Sequence, residues 1–112
     1  MHYVHIKDIR GIDKPGRNWK MVAGPAVCDC NNMVMGIVSF PPGSNPGQHV
    51  HDIEEEIIYV ISGRGISTVE DREYVLEPGV TLFTEPGLPH GIINNGTEDL
   101  VLVSVFSPPL PS

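Results

Sequence analysis

Residues 43–63 read Gly-Ser-Asn-Pro-Gly-Gln-His-Val-His-Asp-Ile-Glu-Glu-Glu-Ile-Ile-Tyr-Val-Ile-Ser-Gly, and the reading of the fold turns on them. The run Glu56–Ile61 is apolar on both faces after its opening acid, as in a strand covered on two sides. Upstream, His49 and His51 stand two residues apart on an expected strand, Gln48–His51, so both imidazoles leave the same face. Asp52–Glu55 make a short turn between the two. Pro42-Gly43 and Pro46-Gly47 punctuate the approach, proline presetting φ and glycine supplying a positive φ.

Working outward, the same texture recurs. Strands are expected at 3–6, 22–27, 33–40, 48–51, 56–62, 65–69, 73–76, 81–84, 90–94 and 100–106. No stretch of eleven or more residues carries a helical apolar period without a glycine or proline interrupting it. Pro78-Gly79 and Pro86-Gly87 repeat the turn signal, and Asn95-Gly96 suits a hairpin joining the last two strands. Short strands at such intervals imply an all-β sandwich or barrel. The 112 residues suffice for one domain, with no boundary or internal repeat. The tail Ser107–Pro111 cannot pair as a central strand and is expected to run extended over the surface.

Leu100–Phe106, like Glu56–Ile61, is apolar on both faces. A small barrel covers only the inner face, so the outer one needs a cover. Either the N-terminal strands (about residues 1–32) pack on it, or a second subunit does, most simply as a homodimer. Tyr59 is out of phase with Glu56 and would face outward.

Charge narrows the partners. Fourteen acidic residues against seven Lys and Arg give a net charge of −7, with no basic run, so neither nucleic acid nor an anionic membrane is an expected partner. Met1–Gly11 lacks the apolar stretch of a signal peptide, and no run of about 18 apolar residues occurs. A cytoplasmic location is the expectation. Cys28 and Cys30, read as neighbours on one strand, are expected as reduced thiols without a metal or redox role. Met33 and Met35 are expected in the core or a pocket wall. Arg17, Trp19 and Lys20 form a polar-aromatic patch, read as surface packing or as a lap over a barrel mouth that would favour an acidic substrate.

His90 follows Gly87-Leu88-Pro89 at the head of another strand. Its spacing with the earlier histidines closely resembles the two motifs of the cupin superfamily. Gly43, His49, His51, Glu56 and Gly63 fall at the spacing of the first motif, and Gly79, Gly87, His90 and Asn94 at that of the second. The one departure is Glu85 where the family has proline, beside Pro86. The resemblance covers residues 43–94 and implies a small single-domain barrel, the double-stranded β-helix of cupins. It also implies that His49, His51, Glu56 and His90 point inward and hold one divalent ion, while Asn94 braces the second motif.

Three imidazoles and a carboxylate, without thiolate, suit Mn, Fe, Co, Ni, Cu or Zn better than Ca or Mg. Positions left open on such an ion could take a small-molecule ligand or substrate. The expected function is therefore a metal-dependent enzyme on a small organic molecule, with Glu56 or a metal-bound water moving a proton. A dioxygenase stands slightly ahead of an isomerase, lyase or decarboxylase. The alternative is a non-catalytic module that binds a small ligand through the same metal.

Overall fold

A computed structural model describes residues 1–110, whose strands are β1 (Ile12–Lys14), β2 (Arg17–Ala23), β3 (Val34–Phe40), β4 (Glu55–Ser62), β5 (Gly65–Val69), β6 (Arg72–Leu76), β7 (Thr81–Thr84), β8 (His90–Ile93) and β9 (Leu100–Ser107). A single 3₁₀ turn, Ile6–Asp8, precedes them. The strands form two antiparallel sheets, β1-β2-β3-β9-β4-β7 and β6-β5-β8. This is the all-β, double-stranded β-helix barrel that the motifs imply.

Alternation builds the interior. Along β3 and β9 every second residue is buried, Val34, Val38 and Phe40 facing Leu100, Leu102 and Phe106. Ile58 and Val60 of β4 and Leu76 of β6 complete a core drawn from both sheets. Each such side chain contributes roughly 1.5–3 kcal/mol by leaving water. Gly36 of β3 has a steric reason: a Cβ there would enter the ring of Trp19 on the neighbouring strand β2.

The N-terminal third departs from expectation. Residues 3–6 form no strand: Tyr3 is exposed, and the His5 side chain accepts the Lys7 N–H to cap the 3₁₀ turn, satisfying the backbone locally. The strand expected at 22–27 starts earlier and stops at Ala23, because Pro25 has no N–H for a ladder and Val27 and Cys28 both turn back to the Gly24 carbonyl. Cys28 and Cys30 therefore lie in a turn region, not on a strand, and both are free thiols. The β1–β2 hairpin escaped the sequence reading, since Arg17, Asn18 and Lys20 dilute its alternation; its turn is Pro15-Gly16, with Gly16 at φ 71.

Two further segments differ from expectation. Residues 48–51 form an isolated bridge, not a strand, because Pro46 cannot donate and Gly47 turns the chain at φ 88. Asn95-Gly96 joins no hairpin, since β8 pairs with β5 while β9 pairs with β3 and β4 in the other sheet. Strands β1 and β2 continue the larger sheet beyond β3. On the outer side of that sheet Ile57, Tyr59, Ile61 and Phe83 remain 46–54% exposed. Leu110, in the expected surface tail, lines the internal cavity instead, while Pro111 lies outside the described residues. No helix among the described residues is long and apolar enough to cross a membrane.

Candidate metal centre

The two histidine-bearing segments meet through their backbones. His49 N–H donates to the His90 carbonyl at 2.8 Å and His90 N–H to the His49 carbonyl at 3.0 Å. The same antiparallel track continues outward, with Gly87 N–H to the His51 carbonyl at 2.9 Å and Asn94 N–H to the Ser44 carbonyl at 2.9 Å. Gly87 takes φ 86 behind Pro86, so the turn forms with Glu85 in place of proline. Asn94 is fully buried; its amide donates to the carbonyls of Phe40 and Glu98 at 2.8 Å and its oxygen accepts from Gly96 N–H at 2.9 Å.

These pairings gather three rings. Ring centroids lie 4.7 Å apart for His49 and His51, 4.5 Å for His49 and His90, and 5.1 Å for His51 and His90. One nitrogen from each falls within 4.8 Å of the others, a group able to hold a metal ion. The Nε2 of His51 is buried and has no hydrogen-bond partner. A buried, unpartnered ring nitrogen in a group of three imidazoles fits a cation, which takes the lone pair of a neutral ring in place of a missing hydrogen bond. The donor set, nitrogen and oxygen without sulfur, fits a borderline transition ion.

Glu56, at the start of β4, is held differently. Its Oε1 lies 3.1 Å from His90 Nε2, and its Oε2 accepts from the Ser104 hydroxyl at 2.7 Å. His90 Nδ1 lies 2.8 Å from the Leu88 carbonyl, which can only accept, so Nδ1 carries a proton and Nε2 turns to the centre. Glu56 thus reaches the cluster through His90. It is not one of the three residues whose donor atoms are mutually close.

Electrostatics separates the histidines. Burial, then the charges of His90 and His51, lower His49 from 6.5 to about 4. Burial likewise lowers His51, against the pull of Glu56. Burial also acts to lower His90, but the hydrogen bonds to Glu56 and the Leu88 carbonyl outweigh it and raise that ring. Burial acts to raise Glu56, yet the hydrogen bonds from His90 and Ser104 hold it below its ordinary value. At neutral pH His49 is therefore neutral, while the Glu56 carboxylate favours the charged form of His90.

The centre lines a cavity of about 160 Å³ whose walls include Val38, Phe40, Leu102 and Phe106. Arg17 and Trp19 line it from β2, while Lys20 does not; Lys14 of β1 stands there instead. Met21 lines it too, and Met33 and Met35 do not. Ser104 is the residue that sequence reasoning passed over. A single hydroxyl in the apolar run Leu100–Phe106, in phase with the buried Leu102 and Phe106, was the available signal.

The family described as the cupin domain matches residues 36–106. An oxalate-binding protein of Thermotoga maritima is 35% identical over 69 residues, covering 62% of this chain and 57% of that one. The pectin degradation protein KdgF of Dickeya dadantii is 30% identical over 78 residues, covering 70% of each chain. The solved structure of KdgF from a Halomonas species matches with a TM-score of 0.82 at 24% identity, over 96% of this chain and 93% of that one, a likeness of fold. The chain spans 57% and 55% of the length of the first two curated relatives it matches.

Proposed function

The chain belongs to the cupin domain family, and from that premise we propose that it is a metal-dependent enzyme acting on a small organic molecule in the barrel cavity. The observation that carries this reading is the buried, unpartnered Nε2 of His51 beside His49 and His90. An unmet buried polar atom costs on the order of 1–3 kcal/mol, which a bound cation removes. His49, His51 and His90 would hold one divalent ion among Mn, Fe, Co, Ni, Cu and Zn, with Glu56 available as a fourth, oxygen donor. Such an ion supplies a Lewis acid for a carbonyl or carboxylate oxygen of the ligand.

The chain's own contribution is the handling of a proton. Glu56 lines the cavity, is held ionised by His90 and Ser104, and can take a proton from a ligand and return it. Apolar side chains, among them Val38, Phe40, Leu102 and Phe106, wall the cavity around that exchange. This arrangement supports an isomerase, lyase or decarboxylase ahead of a dioxygenase, although both chemistries use the same three histidines. A non-catalytic role in binding a small ligand is favoured by one observation, the relative named as an oxalate-binding protein. The exposed row Ile57, Tyr59, Ile61 and Phe83 supports a homodimer built on the outer face of the larger sheet.

Elemental analysis of the purified protein and of His51→Ala tests the centre. Wild type should retain a transition metal through dialysis and the variant should bind it at least about tenfold more weakly. Undiminished metal in the variant refutes the assignment. Turnover of 2-oxo acids and diketones with and without oxygen then decides the chemistry: activity without oxygen supports proton transfer, strict oxygen dependence supports the dioxygenase, and none supports the binding role.

A further inference from the structure

Seven lysines and arginines face fourteen carboxylates in this chain, yet two of the seven meet at one cavity. Lys14 and Arg17 are register partners across the β1–β2 hairpin, and both line the cavity that holds the histidines. Among the described residues neither has a carboxylate within 4.0 Å; the ion pairs are Arg64–Glu77 and His90–Glu56. Arg17 gives one N–H to the Pro15 carbonyl at 3.0 Å, and a guanidinium has five in a fixed fork. The Lys14 ammonium lies 5.9 Å from the centroid of Trp19, itself part of the cavity wall. Glu56 is the one acidic side chain lining the cavity, and His90 and Ser104 already occupy it.

The cavity therefore joins the histidines to two cations without a carboxylate partner, within walls that include Val38, Phe40, Leu102 and Phe106. We propose that Arg17, assisted by Lys14, pairs with a carboxylate of the ligand other than the oxygens offered to the histidines. The ligand class is then a small organic acid with one carboxylate beyond its metal-binding oxygens and an apolar remainder that suits those walls. This inference rests on the metal-centre reading for the histidine contacts only. The second carboxylate is specified by Arg17, because a guanidinium fork matches a carboxylate in two parallel bonds where a methyl group offers none.

Calorimetry on the zinc-loaded protein tests it with two acids sharing a 2-oxo acid head, 2-oxoglutarate and 2-oxovalerate, which differ in carrying a far carboxylate or a methyl group. Wild type should bind 2-oxoglutarate about tenfold more tightly or better. Arg17→Gln should lose that preference by weakening 2-oxoglutarate alone, and Lys14→Gln, at an exposed position, should lose part of it. Equal affinities in wild type, no binding of either acid, or a preference that survives Arg17→Gln overturns the proposal. If Arg17→Gln does not fold, the wild-type preference and Lys14→Gln decide. Zinc content measured in the same samples keeps the two readings apart. Zinc-free wild type sinks the metal centre, and the preference is then read on the metal-free protein; full zinc without a preference sinks only the role of Arg17.

Discussion

His90 Nε2 stands 3.1 Å from Glu56 Oε1, while the other nitrogen of the same ring is committed to the Leu88 carbonyl. One atom thus serves two states. The carboxylate favours a proton on this atom, and a metal ion held there would displace it.

That competition sets a pH dependence. His90 is raised above 6.5, whereas His49 is lowered to about 4 and His51 is lowered too. Zinc binding at pH 6.5 should therefore release about half a proton or more from His90. Affinity should climb as pH rises through the raised range of His90. Calorimetry in two buffers of different ionisation enthalpy measures the proton count. Glu56→Gln removes the charge that holds His90 up and should reduce the count; an unchanged count contradicts the pairing.

Ser104 is 2% exposed and spends its hydroxyl on Glu56 Oε2. Ser104→Ala should lower stability by about 1–3 kcal/mol, since a buried carboxylate loses a donor. It should also move the carboxyl pKa upward. Urea unfolding and the carboxyl carbon shift of Glu56 measure the two effects. A variant as stable as wild type, with an unmoved titration, would show that the hydroxyl is incidental.

Gly36 leaves the space that the Trp19 ring fills. Gly36→Ala should cost about 1–3 kcal/mol through overpacking and displace the ring. Trp19 is the single tryptophan, so its emission reports that displacement directly. Unaltered emission and stability would mean that the two strands part without cost.

For the outer face, light scattering should give twice the 12.2 kDa chain mass. Tyr59→Lys combined with Phe83→Glu should halve it, because both side chains sit on the exposed apolar face. A wild-type mass of one chain at micromolar concentration removes the dimer.

Much of the barrel was legible because strand runs and turn signals are local. Val34–Phe40 and Leu100–Phe106 read as strands from their apolar runs, and the structure buries every second residue of each. The β1–β2 hairpin was not legible, since Arg17 and Lys20 break an apolar pattern without breaking a strand. Lys14 and Lys20 illustrate the limit. Both are charged residues near Trp19 in the chain, and only the pairing of Lys14 with Arg17 across the hairpin decides which one reaches the cavity.

The order of residues alone specified the strand phases, the turns at Pro-Gly pairs and the spacing of His49, His51, Glu56 and His90. Each of those is a relation between close neighbours along one backbone. Only the folded chain decided that Glu56 answers to His90 and Ser104, that His51 keeps a lone nitrogen, and that two cations share the histidines' cavity. The Glu56 contacts alone join residues up to 48 positions apart, and inter-strand hydrogen bonds, which leave no periodic mark in the chain, bring them together.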